Sequence, residues 1–154
     1  MRTRTILAFV GFLFGAHGLC FAQDPQIGTW RLNEAKSKLS PDGTKNTTVV
    51  YTVAGDSVKV TVDGVDKDGK PTHNEWTGKF DGKDYPVTGD ATSDERSYKK
   101  TGDRTLELTG KKGAKVTLTG SITVSGDGKT RTVDVTSTDP TGNKVKTTAV
   151  YDKQ

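Results

Sequence analysis

From Thr47 onward, apolar side chains recur at every second position. Val58, Val60 and Val62 alternate with Lys59, Thr61 and Asp63, and the same beat runs through Val49, Tyr51 and Val53. It returns in Trp76 and Phe80, in Leu106 and Leu108, in Val116, Leu118, Ile122 and Val124, and in Val133 and Val135. This period builds a strand with one buried face and one wet face, and the helical period of about 3.6 appears nowhere at length. The threonines on the outer positions suit a pleated surface facing water.

Turn clusters separate the runs: Gly55-Asp56, Asp68-Gly69, Asp81-Gly82, Gly89-Asp90, Gly102-Asp103, Lys112-Gly113, Asp127-Gly128 and Gly142-Asn143. Glycine supplies the positive φ that tight hairpins need, and Asp or Asn tolerates it, so each cluster predicts one hairpin. With a first strand at Gln26–Leu32, the chain is expected to be all-β, an antiparallel up-and-down meander of 8–10 strands. Tyr85–Thr88 and Arg96–Thr101 carry the weakest strand signals. No link is long enough for a buried crossover, so neighbours in sequence should pair. Such a meander exposes its edges unless it closes into a barrel or stacks as a sandwich, and closure is the first expectation. Asn33 followed by Glu34, Ala35, Lys36, Ser37, Lys38 and Leu39 predicts one or two capped helical turns, which could plug one end.

The first 22 residues read differently. Arg2 and Arg4 precede an apolar run from Ile6 to Phe14, and the segment turns small and polar toward Ala22. That is the layout of a secretory signal cut after Ala22, with a run too short to span a bilayer. The expected organisation is a signal peptide at 1–22 and one domain at 23–154, periplasmic or secreted, with no integral membrane segment after cleavage. Cleavage removes Cys20, the only cysteine, so neither disulfide nor thiol chemistry remains. It also takes two of the 23 basic residues, leaving 21 against 19 acidic ones, a net charge of +2. Lysines and aspartates are interspersed rather than clustered, which argues against nucleic-acid binding.

Gly28-Thr29-Trp30, just inside the expected mature start and ahead of a β-meander, resembles the Gly-x-Trp opening of the lipocalin and fatty-acid-binding barrels, the calycin group. The stretches Gly28 to Asn33 and Trp76 to Val87 also resemble small exported bacterial proteins of unassigned function. The calycin resemblance implies a lipocalin-like barrel, closed or nearly closed, in which Trp30 packs at the closed end, often under an arginine of the last strand. That strand, Lys144 to Asp152, contains no arginine. The resemblance also implies an Arg-x-Tyr clamp for a ligand carboxylate. Tyr151 matches the tyrosine, but Ala149 stands in the arginine's place.

Strand parity offers substitutes. Arg131 shares a side with Val133 and Val135, and Arg96 shares one with Tyr98. An inward arginine would require an anionic ligand or an acidic partner; near strand ends, the expected arrangement is that both reach water along their stems. The expected function is binding of a small, largely apolar or amphipathic molecule, with Trp76, Phe80, Tyr98, Arg131 and Tyr151 as candidate ligand-binding residues. The same aromatics serve equally as core. The alternative is a surface-acting, protease-inhibitor-like protein using Gln23 to Gln26 as an arm; no protein partner is specified.

No catalytic, metal or cofactor site is expected. Asp66, Asp68, Gly69 and Glu75 imitate part of a calcium loop, but Gly64 and Pro71 break the pattern, and a hairpin turn is predicted. His73, the only histidine after Ala22, should face solvent, and there is no Gly-x-Ser-x-Gly elbow, so the chain is not expected to be an enzyme.

Overall fold

A computed structural model describes residues 24–139 and 141–154. The expected signal segment, with its cleavage site and Cys20, lies outside the described residues. The chain forms a closed barrel of ten antiparallel strands in sequence order, with the first strand pairing the last. The strands are β1 (Gly28–Leu32), β2 (Lys45–Ala54), β3 (Ser57–Val65), β4 (Pro71–Gly78), β5 (Tyr85–Thr88), β6 (Glu95–Gly102), β7 (Thr105–Lys112), β8 (Lys115–Val124), β9 (Thr130–Thr138) and β10 (Lys144–Lys153). Closure settles barrel against sandwich, and it removes the exposed edges that a ten-strand meander would otherwise present.

Each of the eight turn clusters falls where consecutive strands join, six wholly between strands and two, Gly102-Asp103 and Lys112-Gly113, starting on the last residue of β6 and β7. In the β3–β4 turn, Asp66 Oδ1 accepts from the backbone of Asp68 and Lys70 while Gly69 takes φ 79°. The calcium-like string is therefore a hairpin held by its own aspartate. Glycine also serves close approach: a Cβ at Gly64 would meet the Lys45 carbonyl oxygen, beside the register shift at Asn46/Thr48 on β2.

The barrel has two unlike ends. At one, Asp24 to Ile27 fold across the opening. Gln26 Nε2 donates to Arg104 O at 3.3 Å, the Trp30 indole donates to Gln26 O at 2.9 Å, and Asp24 pairs with Lys100 at 2.7 Å. Beneath this plug, Trp30, Val58, Leu106, Ile122 and Val124 are each no more than 1% exposed. The expected helical turn exists as one 3-10 turn, Glu34–Lys36, capped by the Asn33 side chain. The turn stops at Lys36 and buries none of its own residues, so it does not plug the barrel; Ser37 and Lys38 run on extended beside β10, where Lys38 bridges Thr148, and Leu39 packs against the core.

Candidate ligand site in the barrel interior

All five candidate residues face the interior, joined through a residue the sequence reading did not select. Trp76 and Tyr98 meet edge to face at 4.7 Å, Phe80 stacks on Trp76 at 6.5 Å, and Tyr51 lies 6.3 Å from both Phe80 and Tyr98. On its other side Tyr51 carries the Arg131 guanidinium, 4.5 Å from its ring centroid. The signal for Tyr51 was present in its parity with Val49. Such pairs contribute about 0.5–1.5 kcal/mol each beyond the area they bury.

The expectation that Arg96 and Arg131 carry their heads to water is overturned, since they are 7% and 3% exposed. Closure turns their strand faces inward, and each head finds a different compensation. Arg131, on β9 opposite Tyr151, lies over Tyr51 and within 5.7 Å of the Trp30 and Tyr151 rings. Its Nη2 donates to the Tyr51 hydroxyl at 3.0 Å, while Nε and Nη1 have no hydrogen-bond partner among the described residues. The π faces supply much of what water would have given. Trp30 thus lies beside an arginine as the calycin resemblance implies, but one contributed by β9 rather than the last strand. Burial raises the phenol pKa of both Tyr51 and Tyr151 although Arg131 opposes it, so both rings stay protonated. The Tyr151 hydroxyl donates to Asn46 O at 3.1 Å, beside the β2 register shift.

Arg96 sits nearer the unplugged end. Its Nη2 pairs with Asp90 at 2.8 Å, and its Nη1 makes longer contacts with Asn74 Oδ1 at 3.3 Å and the Tyr98 hydroxyl at 3.5 Å. Asp90 stands on the β5–β6 loop. Burial works against its ionisation, but bonds from Thr92 and the charge of Arg96 outweigh it and hold its pKa below the ordinary range. Nothing in the sequence marked this aspartate beyond its place in a turn cluster.

The β8 and β9 wall of this half is different. Leu118, Val133 and Val135 face inward by strand parity yet are only half-buried, and Gly110, Gly120 and Ala149 on the same faces are small. On the outer wall, a depression of about 650 Å³ crosses β7 to β10 between two rows of outward side chains, including Glu107, Asp134, Lys146 and Thr148. His73 is solvent-facing as expected, bonded to Asp63 at 2.6 Å and near Glu75 at 3.4 Å. Asp24 and Gln26 are packed into the plug, so the expected arm is not free at those residues.

No protein-family model matches the chain, and no curated protein matches it. Among solved structures, it is similar to EF1p2_mFAP2b bound to DFHBI, at 12% identity and a TM-score of 0.51, covering 84% of this chain and 94% of that one. The likeness is one of fold. It agrees with the closed antiparallel barrel described above.

Proposed function

We propose that this chain is an exported, non-catalytic carrier that binds a small, largely apolar molecule in the unplugged half of its barrel. The observation that carries the reading is the contrast along the interior. Near the plug Trp30, Val58, Leu106, Ile122 and Val124 are sealed, whereas Leu118, Val133 and Val135 remain half-buried where they pack against the core. A barrel of this strand number is wide enough to hold one small ligand where its lining stays small. The similar barrel that holds the small molecule DFHBI supports ligand binding by this fold. Trp76, Phe80 and Tyr98 form the floor of the site, Arg131 and Tyr151 stabilise it from below, and the signal-like segment at 1–22 supports export.

The test is a fluorescence titration with N-phenyl-1-naphthylamine, an apolar probe that brightens on leaving water. Wild type should bind it saturably. Val135→Trp, which fills the half-buried wall, should abolish binding while the thermal midpoint stays close to wild type. Equal binding by both proteins would overturn the assignment.

A further inference from the structure

We infer that the ligand of this site carries an anionic group received by Arg96, and that Asp90 is a built-in competitor which that group displaces; this rests on the interior binding proposed above. A guanidinium offers five N–H donors in a planar fork that two oxygens of one anion can satisfy together. In the structure the fork is only partly used. Asp90 reaches it through Oδ2 alone, because Oδ1 is already committed to the Thr92 backbone N–H at 2.8 Å and the Thr92 hydroxyl at 2.7 Å. Among the described residues, Arg96 Nη1 has only its two long contacts, and Nε, fully buried, has no partner. The arrangement is that of an anion site occupied by a poorly fitting internal substitute.

Exchange is favoured by where the substitute sits. Asp90 belongs to the loop between β5 and β6, whose backbone bonds on the far side begin at Asp94, with Val87 N to Asp94 O at 3.0 Å and Asp94 N to Lys111 O at 2.8 Å. Releasing Asp90 therefore breaks one ion pair and no strand pairing. Its carboxylate regains water as the ligand's anion loses it, so the desolvation costs offset one another. Among the described residues Asp90 alone forms an ion pair with Arg96, so an incoming anion meets no second carboxylate paired to that arginine. Arg131 offers no comparable opening, because its head is enclosed by Tyr51, Trp30 and Tyr151.

Two probes that share their rings and differ by a sulfonate separate this inference from the reading beneath it. The affinity ratio of 1-anilinonaphthalene-8-sulfonate to N-phenyl-1-naphthylamine is measured for wild type, Asp90→Asn and Arg96→Gln. Asp90→Asn keeps the shape of the turn and removes the competing charge. It should raise the ratio about tenfold, and Arg96→Gln should lower it by a similar factor. Using a ratio cancels any general change in the pocket, and if Arg96→Gln fails to fold, Asp90→Asn decides alone. An unchanged ratio in Asp90→Asn, with the neutral probe still bound, would make the ion pair a loop fastening only and overturn the inference. Failure of both probes to bind wild type would overturn interior binding and the inference together.

Discussion

The two halves of the barrel interior are built from the same ten strands and differ in what fills them. The plugged half packs Trp30, Val58, Leu106, Ile122 and Val124 to near-zero exposure and is tied across its polar edge by Gln26, whose Nε2 and backbone oxygen are bonded while its Oε1 has no hydrogen-bond partner among the described residues. The other half alternates small and medium side chains and places a buried ion pair at its margin. The comparison teaches that one strand set can pack its interior unevenly along its own axis: side chains beneath the plug are sealed, whereas away from it Val49, Val62 and Val87 are buried but Leu118, Val133 and Val135 on β8 and β9 are only half-buried.

The contrast breaks first if the two ends respond alike to truncation. Trp30→Ala removes a fully buried ring, the acceptor role of Gln26 O and one of three aromatic faces around Arg131, and should cost about 3–5 kcal/mol. Val135→Ala, on the half-buried wall, should cost less than about 1 kcal/mol, because most of the transfer gain is absent there. Urea unfolding of both variants checks the difference, and comparable losses would show that the unplugged half is as tightly packed as the plug. Next in size is Tyr51→Phe. It removes the acceptor of the only hydrogen bond that the Arg131 guanidinium makes among the described residues and should destabilise the barrel by about 1–3 kcal/mol. A neutral result would mean that the aromatic faces alone suffice for this cation.

These two residues also mark how far the sequence could be read. Periodicity and turn chemistry are local, and they gave the strand order, the eight hairpin turns and even the weakly signalled β5 at Tyr85–Thr88. Which face a strand residue takes follows from parity, and Trp76, Tyr98 and Tyr151 lie inside the barrel, while Phe80, beyond the end of β4, packs half-buried against the same cluster. Compensation for the arginines was not legible. Arg131 meets Tyr51 across 80 positions of chain, and Arg96 meets an aspartate whose side chain looks like any other turn residue. Expecting such groups to reach water is sound when partners are unknown, and it failed here because closure supplied partners that no local pattern encodes. The plug was hidden for a similar reason: Asp24 and Gln26 act through Lys100 and Arg104, far along the chain.

The Asp90–Arg96 pair at the unplugged end adds a dependence on pH. The Asp90 carboxylate is held below its ordinary range in the folded protein, so its contribution to stability is fully present above the unfolded pKa near 3.9 and is lost as pH falls through the folded value. Arg96, whose pKa is raised despite burial by Tyr98 and Asp90, stays charged throughout. The stability gap between wild type and Asp90→Asn should therefore be constant from about pH 7 down to about pH 5 and narrow below about pH 4. A gap that persists into strong acid would show that hydrogen bonding within the loop, rather than its charge, fastens it.

The smallest effect belongs to His73, which lies on the outer wall and shares in neither half of the interior. Its side chain is 53% exposed, and bonds to Asp63 and then Glu75 raise its pKa above the ordinary value. A raised pKa means that the protonated pair stabilises the fold fully below the unfolded pKa near 6.5, and that the gain disappears as pH rises through the folded value. His73→Gln should accordingly lower the thermal midpoint slightly at about pH 5 and leave it unchanged at about pH 9, the reverse of the Asp90 pattern. Because solvent screens an exposed pair, the shift at low pH should be small beside that of Trp30→Ala. A shift of comparable size would locate substantial stability on the outer face of β3 and β4, and the axis of the barrel would no longer be the main divide between its regions.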